Sequence, residues 1–342
     1  MLGSCDEPLS TAHDVAMLDL DGVVYVGDAG VPEAAGAIEA ARAAGQRIAF
    51  ITNNASRPPA TVAARIGRTG VPADAADIVT SAQAAARVLH DHHGDGARVV
   101  VLGASGLVEA LEAAGLTPVG VDDDDAVALV TGYGPDIVWG DVMRAAVRIR
   151  DGLPWVASNT DRTIPTAFGV APGHGVMVAM LAEFAGVEPV VAGKPARPLL
   201  DETLQRTGAA RPLMVGDRLD TDIAGAVALD MPALLVMTGV TDLEILVAAT
   251  PELRPTYVAA DLRGLVQAHA APERSEDGWR AGDWSATVTH GRLEVTGAGS
   301  PSDWWRCVAA AAWQHLDETG DVVDTSGVHA PADDALPGKV PA

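Results

Sequence analysis

The chain has 342 residues, 48% of them hydrophobic, and a formal net charge of -23. That length predicts two domains with room for a small third. The charge excludes nucleic acid and anionic membrane surfaces as partners, because binding there depends on Lys and Arg neutralising phosphates. No apolar run approaches the roughly 18 residues of a membrane span, so no membrane insertion is expected. The first residues, with Asp6, Glu7 and His13, do not read as a secretory signal, and a cytoplasmic location is expected. Cys5 and Cys307 are too few and too distant for a disulfide framework or a thiolate metal site.

From about residue 15 to 270, short β-branched runs alternate with alanine-rich segments of helical period, each closed by Gly or Pro. This is the pattern of βαβ units and a parallel sheet, an α/β fold. Residues 15–20 read as a buried strand carrying Asp19 and Asp21 at its carboxyl end, with Gly22 next. Residues 32–44 read as a helix with Pro32 at its start and Gly45 at its stop, and 48–52 as the following strand, which delivers Thr52, Asn53 and Asn54. The next helix is expected to take Ser56 as its N-cap, with Pro58 just inside.

A second series, with strands at 99–102, 127–131 and 155–158, reads as an inserted domain. Asp122 to Asp125 lack the ligand spacing of a calcium loop and read as a solvated turn. A third series has a helix after Pro198, a strand at 213–215, a helix after Thr221, a strand at 233–237 and a helix after Asp242, and is expected to complete the first sheet. The domain boundaries follow: core 1–80, insertion 81–190, core again 191–271, and an extension 272–342.

The extension differs in style. Five tryptophans, Trp279, Trp284, Trp304, Trp305 and Trp313, fall within 35 residues, whereas the preceding 271 residues hold only Trp139 and Trp155. Residues 286–289 and 293–296, around His290-Gly291, predict a hairpin, and 303–316 an amphipathic helix. A unit of that size is expected to dock on the main body or on a second subunit. From Gly320 the acidic, Pro- and Gly-punctuated tail is expected to have no fixed structure.

In open α/β sheets ligands bind at the carboxyl ends of the strands, where residues scattered in sequence converge. Four such places stand out: Asp19/Asp21, Thr52-Asn53-Asn54, Gly193-Lys194-Pro195 and the run from Gly216 to Asp222. Gathering Asp19, Asp21 and Asp217 without a cation would set carboxylate against carboxylate. All-oxygen donors without His or Cys point to Mg2+. Lys194 suits phosphate charge, Thr52 and the amides after Asp19 and Asn53 suit phosphate oxygens, and Gly22 allows close approach of the chain.

These four motifs, DLDGV at Asp19, TNN at Thr52, GKP around Lys194 and GDRLDTDI at Gly216, resemble those of the haloacid dehalogenase-like (HAD) phosphohydrolases. The resemblance spans about residues 15–270. It implies a Rossmann-like parallel-sheet core with an inserted α/β cap of the C2 type, and here a small α+β appendage at the C-terminus. It further implies Asp19 as nucleophile, Asp21 as general acid/base and Lys194 as a catalytic cation. Mg2+ would be held by Asp19, Asp21 (through its backbone carbonyl) and Asp217, with Asp222 supporting it through water. Gly22, Thr52, Asn53, Asn54 and Lys194 would bind phosphate. About 30 residues separate Asp21 from Thr52 and about 140 separate Asn54 from Lys194, so the cap follows the second motif.

That arrangement is similar to the subfamily of p-nitrophenyl-phosphatase-like, phosphoglycolate and glycerol-3-phosphate phosphatases. The implied activity is hydrolysis of a small phosphorylated metabolite, with glycerol 3-phosphate first, because the extension resembles that of actinobacterial members assigned this activity. 2-Phosphoglycolate, a broad range of sugar and nucleotide phosphates, and a non-catalytic phosphometabolite-binding role are the alternatives. In the cap, Asn159, Asp161, Arg162 and His174 are the candidate substrate contacts; His174 has an equal alternative reading as a helix-start residue facing solvent, and Arg162 would suit a carboxylated substrate. An acyltransferase-like origin for the extension finds no Gly-rich pyrophosphate turn to support it. A homo-oligomer is a further expectation.

Overall fold

A computed structural model describes residues 1–166 and 168–331. The chain divides into two compact units: Met1–Ala49 with Thr69–Val71 and the residues from Ala209 onward, and Phe50–Arg68 with Pro72–Gly208.

In the first unit the strands Tyr257–Ala259, Ala233–Val236, Pro212–Gly216 and Val15–Leu18 lie side by side in that order, all parallel. Val15 pairs with Pro212 and Leu18 with Val215, so the two strands end together. Val15–Leu18 and Ala233–Val236 are buried at every position. Their uninterrupted apolar character is that of strands covered on both faces, which is why no polar alternation marks them in the sequence.

In this unit two helix boundaries differ from the sequence expectation. The helix expected at 32–44 runs Ala34–Ala43 and begins beyond Pro32, after Glu33 turns the chain through a left-handed conformation. After Thr221 there is no immediate α-helix: Leu219–Ile223 forms a wide π-turn, and a short α-helix, Ala224–Val227, follows.

The Trp-rich extension belongs to this unit. Its hairpin, Trp284–Thr289 with Arg292–Gly297, is longer than expected and carries two further antiparallel strands, Trp279–Ala281 and Glu273–Arg274. The helix Pro301–Thr319 starts on proline and stops at Gly320, as helix-end chemistry favours. It packs against its own sheet, the strand Tyr257–Ala259 and the helix Leu243–Val247. Arg306 Nε donates to the Val258 carbonyl at 3.0 Å, and the Ala260 N–H donates to Ser302 Oγ at 3.0 Å. The extension thus satisfies backbone groups along a strand that would otherwise be an exposed sheet edge.

The tail departs from its expectation over its described part. Asp324 donates its N–H to the Gly291 carbonyl and accepts from the Leu293 N–H, and Val323 is buried. The remainder, 332–342, lies outside the described residues.

The second unit contains a parallel five-stranded sheet in the order Val190–Val191, Trp155–Ala157, Ala128–Thr131, Arg98–Leu102, Thr117–Val119. The helices Trp139–Arg150 and His174–Ala185 close its core through Val142, Ile149, Val178 and Leu181. The strand Arg47–Thr52 enters this unit at Phe50 and pairs in parallel with Ile78–Thr80. Thr80 then caps the helix Ser81–His93 in a reciprocal box with Gln83. Ser56 does not cap a helix. The helix runs Pro59–Arg68, and Ser56 donates its N–H and Oγ–H to Asn54 Oδ1 instead. Asp122 to Asp125 form a turn in which Asp123 takes Arg98 and the Asp125 N–H. Among the described residues no helix is long and apolar enough to cross a membrane.

Candidate active site

The acidic centre is built in the first unit by two strands that end level with each other. Asp19 directly follows Val15–Leu18, and its N–H continues the ladder to the Val215 carbonyl at 2.9 Å. Asp217 directly follows Pro212–Gly216, and the π-turn carries Asp222 back toward it. One carboxylate oxygen each from Asp19, Asp217 and Asp222 lie within 4.8 Å of one another. Asp217 and Asp222 are 1% exposed. Burial, with the charges of Asp222 and Asp19 added, holds the Asp217 carboxyl well above the usual carboxylate range.

The two oxygens of Asp217 are not equivalent. Oδ2 accepts the Val240 N–H at 2.7 Å, while Oδ1 is buried without a hydrogen-bond partner among the described residues. Asp222 Oδ2 accepts the Arg218 N–H at 3.1 Å. An orphaned buried carboxylate oxygen beside two further carboxylates fits a hard divalent cation such as Mg2+, which compensates the charge and takes the lone pair.

Asp21 is exposed, at the start of a tight turn in which Gly22 donates its N–H to the Tyr25 carbonyl. A Cβ at Gly22, whose φ is +85°, would stand 2.4 Å from Asp217 Oδ2, and one at Gly239 would stand 1.9 Å from the same atom. Only glycine lets the chain approach that carboxylate from both sides.

Three residues of this centre escaped the sequence reading. Thr238 Oγ1 donates to the Gly22 carbonyl, Val240 holds Asp217 Oδ2, and Thr241 donates both its Oγ1–H (2.6 Å) and its N–H (3.2 Å) to the Asp217 carbonyl. The signal was present: the loop follows the apolar strand Ala233–Val236, another strand end of the same sheet.

In the second unit Thr52, at the end of its strand, accepts the Asn54 N–H on Oγ1 at 3.1 Å. Asn53 is a hub. Its Oδ1 accepts the Lys194 N–H at 2.8 Å, and its Nδ2 donates to the Lys194 carbonyl and to Asp161 Oδ1, both at 3.0 Å. Its carbonyl accepts from Ser81 Oγ at 2.5 Å and Asn159 Nδ2 at 2.7 Å. Both amide hydrogens of Asn53 are therefore committed to protein, and its side chain braces Lys194, which is 2% exposed.

The cap residues divide. Asn159 is buried, giving Nδ2 to Asn53 and taking the Asp161 N–H on Oδ1 at 3.1 Å, so its amide is a strut. Arg162 is exposed on the wall of an open cavity of about 730 Å³, with Thr160, Glu183 and Glu188. His174 does not face solvent. It is 4% exposed, its Nδ1 lies 2.9 Å from the Asn159 carbonyl, and burial pushes its pKa down to about 4. A carbonyl only accepts, so Nδ1 carries the hydrogen and Nε2, which has no partner among the described residues, is a bare acceptor.

Comparison with known proteins supports the same chemistry. Residues 16–117 match the family model of haloacid dehalogenase-like hydrolases, and 191–265 match a HAD-hydrolase-like model. The chain is 39% identical to the D-glycerol 3-phosphate phosphatase of Mycobacterium tuberculosis, over 90% of this chain and 87% of that protein. It is 32% identical to an acid sugar phosphatase of Staphylococcus saprophyticus, over 73% of this chain and 96% of that protein. The crystal structure of the glycerol phosphate phosphatase of M. tuberculosis in complex with magnesium superposes with a TM-score of 0.81 at 39% identity, covering 90% of this chain and 92% of that one.

Proposed function

The chain belongs to the haloacid dehalogenase-like hydrolases, and from that premise we propose that it is a Mg2+-dependent phosphatase whose substrate is glycerol 3-phosphate, released as glycerol and phosphate. The observation that carries the chemistry is the trio of carboxylates within 4.8 Å with the orphaned Asp217 Oδ1. The likeness to a D-glycerol 3-phosphate phosphatase over nine-tenths of the chain supports the substrate.

In this reading a carboxylate oxygen of Asp19 attacks phosphorus in line, and the bond from phosphorus to the glycerol oxygen breaks. Asp21, protonated at that stage, gives its proton to the departing alkoxide. It then takes a proton from water, whose oxygen attacks phosphorus and frees Asp19 and inorganic phosphate. The exposure of Asp21 suits a group that exchanges protons with solvent, and the half-buried Asp19 suits a nucleophile.

Asp19, Asp217 and the Asp21 backbone would hold Mg2+, with Asp222 in support, and the bound cation would neutralise charge on the phosphoryl group and its nucleophile. Lys194, Thr52, and the backbone of Gly22, Asn53 and Asn54 are assigned to phosphate; for Asn53 the side chain acts through Lys194. In the cap, His174 Nε2 is the acceptor assigned to a substrate hydroxyl, Arg162 the cation a carboxylated substrate would need, and Asn159 and Asp161 the frame around them. We place the enzyme in the cytoplasm and expect it to self-associate.

The test is a panel of glycerol 3-phosphate, 2-phosphoglycolate, sugar and nucleotide monophosphates and p-nitrophenyl phosphate, run on the wild type and Asp19→Asn. The highest kcat/KM should fall on glycerol 3-phosphate, and Asp19→Asn should release no phosphate while remaining folded. Mg2+-dependent turnover by Asp19→Asn would sink the mechanism. A better substrate elsewhere in the panel would sink the substrate assignment alone.

A further inference from the structure

The Trp-rich extension and the loop from Thr238 to Thr241 have no role in the chemistry above, yet hydrogen bonds connect the loop to the acidic centre and the extension to the short helix that follows the loop. We infer that this loop, steadied by the extension, is the positioning element of the metal-binding carboxylates, with Thr241 and Thr238 as positioning residues and Trp313 as the outermost brace. The inference rests on the metal site just proposed.

Asp217 illustrates what the loop does. Its carbonyl takes two donors from one residue, Thr241, and its Oδ2 takes the Val240 N–H. With the backbone pinned and one oxygen occupied, the side chain has little rotational freedom left, and Oδ1 remains as the oxygen without a partner. Three donors within two consecutive residues therefore select which carboxylate oxygen faces a cation. Thr238 acts on the other strand end, donating to the Gly22 carbonyl one residue beyond Asp21. Thr238 and Thr241 are 5% and 1% exposed, so neither hydroxyl has water as a ready substitute.

The loop is itself held at its far end. Asp242 caps the helix Leu243–Val247, accepting the Ile245 N–H at 3.0 Å, and Trp313 Nε1 donates to the Leu246 carbonyl near that helix's end at 2.8 Å. Arg254 lies over the Trp313 ring, 5.2 Å from its centroid, donates to the Ala249 carbonyl at 2.9 Å, and pairs with Asp317 through two bonds of 2.7 Å. The short helix is thus clamped by the extension on one side and leads directly into the loop on the other. A five-residue helix has little stability of its own, so its position depends on such contacts.

The experiment measures Mg2+ binding to the full-length enzyme by calorimetry without substrate, and kcat at saturating Mg2+. Thr241→Val keeps the shape and removes the hydroxyl; Thr241→Ser keeps the hydroxyl. Thr241→Val should bind Mg2+ about five- to tenfold more weakly, with a greater loss in Mg2+ affinity than in kcat at saturation, and Thr241→Ser should restore binding. Trp313→Phe, which loses only the Nε1 donor and some ring area, should weaken Mg2+ binding about two- to threefold.

Wild-type Mg2+ affinity in Thr241→Val overturns the positioning role, and wild-type affinity in Trp313→Phe overturns the part assigned to the extension. Asp217→Asn serves as the reference. If it too binds Mg2+ normally, the proposed metal site has failed rather than its support. Circular dichroism of each variant, with the serine rescue, separates loss of positioning from loss of folding.

Discussion

Replacing Asp217 by Asn should raise the stability of the metal-free protein while removing its response to Mg2+. Asp217 is buried beside Asp19 and Asp222, and its folded-state pKa is raised, so the native protein holds a proton that the unfolded chain releases. A group shifted in that direction contributes stability that is complete below its unfolded pKa of about 3.9 and lost as pH rises to the folded value. At neutral pH the metal-free wild type therefore carries the cost of a buried carboxyl that must either take up a proton the unfolded chain lacks or ionise beside Asp222 and Asp19. An asparagine does not carry it: its oxygen can accept the Val240 N–H while its amide hydrogens turn toward the neighbouring carboxylates. Mg2+ at about a hundredfold excess over Kd should stabilise the wild type by about 2.7 kcal/mol, which for units of this size is about 5–10 °C in Tm. The assay is thermal unfolding at about pH 5 and pH 7.5, with EDTA or with Mg2+. The metal-free variant should melt above the metal-free wild type at the higher pH, and its Mg2+ shift should be small. A metal-free variant that melts below wild type, or an equal Mg2+ shift in both proteins, would refute the reasoning.

Three further outcomes follow from the same structure. Gly239→Ala places a methyl 1.9 Å from Asp217 Oδ2, so the loop must move; unfolding in urea should show a loss of about 1–3 kcal/mol, accompanied by weaker Mg2+ activation, and wild-type values for both would contradict the geometry. His174 and His269 each have a pKa pushed from 6.5 down to about 4, chiefly by burial, so their contribution is complete above pH 6.5 and lost as pH falls toward 4. Each is worth about 3 kcal/mol, and His174→Gln should make the decline in urea midpoint over that range shallower than in wild type. Arg306→Ala leaves the Val258 carbonyl, Asp303 and His269 Nδ1 without their donor, a loss of about 3–5 kcal/mol measurable by urea unfolding; Arg306→Lys should not rescue it, because an ammonium cannot reproduce the three-way fork.

How much of this was legible depended on whether a residue's meaning is local. Asp19 and Asp217 could be read because a buried apolar strand followed at once by a carboxylate is visible in a few residues, and the strands Val15–Leu18 and Pro212–Gly216 lie where that pattern places them. The hairpin around His290-Gly291 was legible for the same reason, whereas Glu273–Arg274 and Trp279–Ala281, two and three residues long, are too short to show a period. Asn53 marks the limit. Its place after a strand suggests a phosphate contact, but its side chain meets partners 108 and 141 residues away, which no local pattern reveals. Thr241 fails in the opposite sense: a threonine after a strand is unremarkable until its hydroxyl is found on the Asp217 carbonyl. In the described part of the tail composition misleads, since an acidic segment with little to bury can still complete the backbone bonding of a hairpin edge, as Asp324 does for Leu293. In each case the missing information is which polar atoms already have partners. That accounting separates Asn159, whose amide is committed within its own unit, from Asp217, where one oxygen is held so that the other remains for a cation. A functional group in this chain is therefore identified less by its residue type than by the neighbour that leaves one of its atoms unsatisfied.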